Sequence, residues 1–119
     1  MATLEKHNFD APHETRPFAA RGHMDVVTLG GFSVGRGVFE PGWKWSVDVK
    51  PIAGTESCMA RHTGVCVAGT MVVRSDDGTE VTYSAGDAFV MEPGHDAWTV
   101  GDEDCVLYDT AVTGYAKPA

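Results

Sequence analysis

From Asp25 onward the chain is a succession of short extended runs, each cut off by a turn. No stretch sustains the 3.6-residue period of an amphipathic helix. "DVVTLGGFSVGRGVF" is two apolar runs broken at Gly30-Gly31, the composition of a turn between strands. "RSDDGTEVTYS" sets Asp77-Gly78 between two extended runs. This is a strong hairpin cue, because glycine adopts the positive φ that a tight turn demands. "PGWKWSVDV" follows a Pro-Gly break and alternates Trp43, Trp45, Val47 and Val49, which predicts a strand with both tryptophans on one face. "GVCVAGTMVVRS", "AGDAFVMEPG" and "CVLYDTAVTGY" read as further strands. About eight strands in so short a chain predict an all-β sandwich or barrel, which also hides strand edges. Residues 1–24 carry Pro12 and Pro17 and little apolar period, and read as an irregular N-terminal arm. Residues 25–119 form the barrel domain in this reading.

Composition narrows the partners. Hydrophobic residues make up 43% of the 119, enough for one packed core at this length. The net charge is −8, with seventeen acidic residues against nine Lys and Arg. Such a surface is a poor match for nucleic acid or an anionic membrane, both of which need clustered cations. There is no apolar run of about 18 residues to span a bilayer, and "MATLEKHNFDAPHETRPF" lacks the apolar centre of a signal peptide. Cys58, Cys66 and Cys105 form an odd set without CxxC spacing. Free thiols and a cytoplasmic location are expected.

The stretch "GTESCMARHTGVCVAG" (54–69) gathers Glu56, Cys58 and His62. Carboxylate, thiolate and imidazole together suit zinc, iron or nickel. Three protein donors would leave a fourth position for water or substrate. The ordinary uses compete: cysteine as a small core residue, glutamate on an exposed turn, histidine bonded to backbone. One divalent transition metal and no metal both stay open. With or without an ion, His62 has the chemistry of a catalytic base, since imidazole titrates near neutrality.

Two patterns resemble the cupin family, small β-barrels of jelly-roll type. In the first cupin motif a glutamate precedes a glycine by six free residues; here "HTGVCVAG" puts His62 in the glutamate's place and Gly69 in the glycine's. The second motif is matched by "GDAFVMEPGHDAW", where Gly86 is followed after five residues by Glu92-Pro93-Gly94. The Asp77-Gly78 hairpin lies between the two, as in many cupins. The resemblance spans about Val38 to Asp109 and is narrowest with small single-domain bacterial cupins of unassigned function. It implies a single cupin barrel, a double-sheet jelly roll enclosing one small ligand, and a homodimer built by sheet packing or strand exchange through the arm. A metal-binding cupin supplies HxH, a glutamate and a later histidine. Counting back from His62 with the shorter gap, the HxH slots hold Glu56 and Cys58; with the longer gap they hold Thr55 and Ser57. The later histidine slot holds Ala97 and its asparagine slot Gly101, with His95 and Trp98 close by but out of register.

For the pocket, Trp98 and His95 are assigned to the barrel mouth, Tyr108 inward on the last strand, and Trp45, with Trp43, to an aromatic wall or the core. Arg61 should face away from His62 on a regular strand. Cys66 and Cys105 read as core residues. Two functions remain. One is an enzyme acting on a small organic substrate with His62 as base or metal ligand. The other is a non-catalytic ligand-binding or sensing barrel that lacks a metal. Fold alone does not choose between them.

Overall fold

The computed structural model describes residues 4–112 together with Tyr115 and Ala116. Nine strands and two short helices follow in order: β1 (Glu14–Pro17), β2 (Gly22–Leu29), β3 (Phe32–Phe39), α1 (Trp45–Asp48), α2 (Lys50–Ala53), β4 (His62–Ala68), β5 (Thr70–Ser75), β6 (Glu80–Ser84), β7 (Ala88–Met91), β8 (His95–Val100) and β9 (Cys105–Asp109). They build two antiparallel sheets, β1-β2-β3-β9-β4-β7 and β6-β5-β8. The sheets stack as a jelly roll rather than closing into one continuous barrel.

The turns fall where the sequence puts them. Gly30 and Gly31, at φ 58° and 81°, join β2 to β3, and Gly78, at φ 94°, turns β5 into β6. Gly69 has a heavier duty. With φ 70° it carries the chain from β4 in one sheet to β5 in the other, and a Cβ there would meet Cys105 Cα within 2.6 Å. Only glycine fits both the turn and the close approach.

Residues 43–53 differ from the expected strand. Trp43 lies beside a bridge between Lys44 and Trp98, after which the chain coils into α1 and α2. Asp48 is the cause. Its carboxylate accepts the Lys44 backbone N–H at 3.1 Å and takes two bonds from the Arg21 guanidinium, at 2.9 and 3.1 Å. Asp96 Oδ1 accepts the Ser46 N–H at 3.1 Å, so donors left over at the helix start find partners. Trp45 and Asp48, three apart, are the buried residues of α1, the spacing of one helical face.

The segment read as an arm contributes β1, paired along β2 on the sheet edge. The boundary drawn at residue 24 falls inside β2. Among the described residues, no helix is long and apolar enough to cross a membrane.

The core lies between the sheets, where Trp43, Trp45, Met24, Met71 and Val49 are almost fully enclosed. Burying large apolar side chains of this kind contributes roughly 1.5–3 kcal/mol each. Beside them lies a group of buried polar residues, His62, His95 and Asp109.

Candidate metal centre

Strand pairing assembles the site. Cys58 and His95 form an isolated antiparallel bridge: the Cys58 N–H donates to the His95 carbonyl at 2.8 Å and the His95 N–H to the Cys58 carbonyl at 3.3 Å. Residues paired in this way sit side by side. His62 opens β4 on its inward face, where burial alternates with Thr63 and Val65 outside. Inward residues of β8 are His95, Ala97 and Thr99, with Asp96 and Trp98 more exposed. Ala97, in the cupin histidine slot, therefore shares its face with His95, two residues earlier.

Cys58 Sγ lies 3.5 Å from His62 Nε2. The donor atoms of Cys58, His62 and His95 all fall within 4.8 Å of one another, and all three residues are buried. A tetrahedral ion with bonds of about 2.3 Å to sulfur and about 2.0 Å to nitrogen sets those two atoms about 3.5 Å apart. The donor set fits a transition ion after a contraction of at most about 1.5 Å at its widest span.

Each imidazole is held by its other nitrogen. His62 Nδ1 hydrogen-bonds Asp109 Oδ2, while Asp109 Oδ1 accepts the Ala111 N–H at 2.8 Å. His95 Nδ1 donates to the Glu92 carbonyl at 2.7 Å. Such outer partners fix the tautomer that leaves Nε2 free for a metal.

Electrostatics follow from these contacts. Burial pushes the Cys58 thiol up, but hydrogen bonds and charge from His62 and His95 outweigh it and bring it down to about 6. Burial pulls the His62 imidazolium down, but Asp109 and Cys58 raise it to about 9. The metal-free site is thus a thiolate beside an imidazolium beside a carboxylate.

The cavity they face has a volume of about 20 Å³, room for a water or an ion rather than a drug-sized ligand. Its walls are mostly apolar: Met24, Met71, Met91, Trp43, Trp45 and Leu107. Tyr115 closes one side, its ring 4.8 Å from that of His62 and nearly perpendicular to it. Burial, then the Cys58 and Asp109 charges, hold its phenol well above the usual range. The segment bearing it is strapped down by Arg16, which donates to the Val112 carbonyl and, at 2.9 Å, to the Tyr115 carbonyl.

The residues singled out in the sequence divide. His62, Cys58, His95 and Trp45 line the cavity, and His95 stands in the donor cluster rather than at a mouth. Glu56 does not reach it: its side chain is 95% exposed and pairs with Lys50 at 2.9 Å. Trp98 turns to the outer face of β8, under the Lys44 ammonium 5.5 Å from its ring centroid. Tyr108 alternates with inward Leu107 and Asp109, so it points outward against Phe9. For Trp98 and Tyr108 the period of two along their strands decides the face. Arg61 faces away from His62, exposed and paired with Glu92 at 2.8 Å. Asp109, Met91 and Tyr115 escaped the sequence reading. Placing Tyr108 outward would have turned its strand neighbour Asp109 inward.

No family model and no curated protein matches the chain. Solved structures do. A protein of unknown function from Vibrio parahaemolyticus superposes with a TM-score of 0.60 at 22% identity, over 82% of this chain and 96% of its own. Another of unknown function, from Rhizobium leguminosarum, gives 0.59 at 19% identity over 99% of this chain and 100% of that one. A conserved Klebsiella pneumoniae protein with a double-stranded β-helix domain gives 0.59 at 19%, covering 98% and 93%. Likeness at these identities is likeness of fold. Two stacked antiparallel sheets, switched at Gly69 and matched end to end by such a domain, make this chain a double-stranded β-helix with the cupin fold.

Proposed function

We propose that the protein is a metal-dependent cupin in which Cys58, His62 and His95 hold one divalent transition ion beside a small enclosed cavity. The supporting observation is the convergence of three buried donors whose two imidazoles are each fixed by an outer acceptor. Charge agrees with it: the Cys58 thiolate and the Asp109 carboxylate together balance a divalent cation, so the loaded site is close to neutral and tolerable in the interior. When bound, such an ion supplies Lewis-acid polarisation of a ligand oxygen and lowers the pKa of bound water. Asp109 orients His62, the Glu92 carbonyl orients His95, and the apolar walls keep bulk water out. The cavity admits a water or the reacting end of a small ligand, which narrows the organic substrate expected from the sequence to one that enters by its tip.

Metal analysis of protein purified without added metal tests this. Near-stoichiometric transition metal is expected, and its loss in His62→Ala with the β-sheet circular dichroism signal retained. Full occupancy in His62→Ala would sink the assignment, as would failure of the reduced protein to bind zinc.

A second reading has its own observation, the line Cys58–His62–Asp109, the order of a nucleophile, a base and an orienting acid. In it the metal-free chain uses Cys58 directly. Rapid modification of Cys58 by a small alkylating reagent in fully active, metal-free protein would favour it.

A homodimer belongs to the proposal too. Val65, Val67 and Val90 are exposed together on the outer face of β4 and β7, a surface suited to sheet packing. Light scattering should read twice the chain mass, and Val90→Lys should halve it.

A further inference from the structure

We infer that the ion this site is built for is copper, with the Met91 thioether as a fourth, weaker donor beside Cys58, His62 and His95. The inference rests on the metal reading above and goes on to name the metal and a ligand.

Sulfur is concentrated here. Met24, Met71 and Met91 line the same cavity as Cys58 and the two histidines. Methionine is often only a gap-filler, so each needs separate treatment. Met24 has a packing role: its Sδ and Cε occupy the space that side chains at Gly35 and Gly37 would fill. Met71 shares the smaller sheet with His95, but its register partners are Tyr83 and Thr99, four residues along β8 from His95, and not a donor. Met91 differs from both. It is the register partner of His62 across β4 and β7, and both are buried, each 6% exposed. Directly opposed residues leave the sheet side by side, with Cβ atoms about 4.5–5.5 Å apart. The thioether therefore starts from the same patch of sheet as the imidazole, and a long flexible side chain carries it.

The donor set then discriminates among metals. Zinc is served as well by one thiolate and two imidazoles with a water in the fourth position, and the nearby Asp109 carboxylate is engaged by His62 and backbone, so the donor that chooses the metal is the thioether. One thiolate, two imidazoles and a long thioether contact form the donor set of copper centres, and soft sulfur favours Cu(I). Copper also stands highest in affinity among the divalent first-row ions. The apolar walls keep bulk water away from the ion. A thioether bond of this weak kind still yields to a small incoming ligand, so the site keeps one exchangeable position.

The test uses reduced, metal-stripped full-length protein, loaded separately with Cu(II), Co(II) and Zn(II), and with Cu(I) against a chromophoric chelator. One equivalent of Cu(II) should give an intense visible thiolate-to-copper charge-transfer band. Met91→Leu, which conserves volume and so preserves packing, should shift that band. It should also weaken Cu(I) on the order of 10-fold while leaving zinc unchanged. Two results would overturn the copper assignment and leave the metal reading intact. One is cobalt and zinc binding through Cys58 with no charge-transfer band from Cu(II). The other is a Met91→Leu protein with unaltered copper spectrum and affinity. If none of the ions binds, the metal reading fails and takes the copper assignment with it.

Discussion

Cys58 and Cys105 are both buried, at 3% and 0% exposure, yet their thiols are driven in opposite directions. Burial pushes Cys105 far above the ordinary thiol value, and neighbouring Cys66 pushes it the same way. Burial pushes Cys58 up as well, but two imidazoles reverse the outcome and leave it at about 6. Concealment from water therefore does not determine what a cysteine can do. The charge it meets inside does. One end of the core uses sulfur as a hydrocarbon substitute. The other uses it as an anion.

The largest expected effect is on ionisation. A fall from 9.0 to about 6 is about a thousandfold in acid dissociation. Ultraviolet titration of the metal-free protein should show one thiolate of three appearing near pH 6, and none from Cys66 or Cys105 while the chain stays folded. The sign for stability needs both partners. The depressed Cys58 stabilises the folded chain at high pH and loses that contribution as pH falls through about 6. The raised His62 stabilises it at low pH and loses that as pH rises through about 9. Between their ordinary values of 6.5 and 9.0 the folded pair and the unfolded pair each hold one proton. Folding there moves the proton from sulfur to nitrogen without net uptake, so this pair gives a flat stability profile in that window. A second thiolate near pH 6 would erase the contrast between the two cysteines.

Exchanging the substitutions is the next way to break it. Cys58→Ser should cost metal affinity about 100-fold with little change in melting temperature. Cys105→Ser should leave affinity alone and cost about 1–3 kcal/mol of stability by burying a hydroxyl. Paired metal-competition and thermal-melt measurements would show it. Asp109→Asn sharpens the comparison from one step away. It should return Cys58 toward ordinary thiol behaviour by releasing His62, and weaken metal on the order of 10-fold. An unchanged thiolate titration would mean that His95 alone sets the sulfur. The smallest effect belongs to Glu56→Gln, expected to leave affinity unchanged and stability within about 0.5 kcal/mol.

Much of the fold was legible because turn chemistry is local. Gly30-Gly31 and Asp77-Gly78 announce their turns without help from the rest of the chain. "PGWKWSVDV" misled because an alternating pattern was overruled by Asp48, whose bonds to Lys44 and Arg21 are partly local and partly distant. The site was legible where a motif frame held, at His62 and Cys58. His95 was seen but placed by its failure to match a slot, when sharing a face with Ala97 was the better guide. Asp109 lies 47 positions from His62, and only the β4–β9 pairing brings them together. No short-range pattern carries that.

The Arg16 strap has a kinetic consequence. Its bond to Tyr115 spans 99 positions, so it closes one of the longest loops in the molecule, and long loops close at greater entropic cost and slow folding. The wall of the cavity that Tyr115 forms is then among the last pieces to arrive. An ion of the proposed kind would enter while that wall is missing, and once Arg16 holds the Val112 and Tyr115 carbonyls its escape would wait for those bonds to open. For an ion bound as proposed, residence time would be set by this clasp as well as by the donors, and a slow off-rate would coexist with only moderate intrinsic affinity.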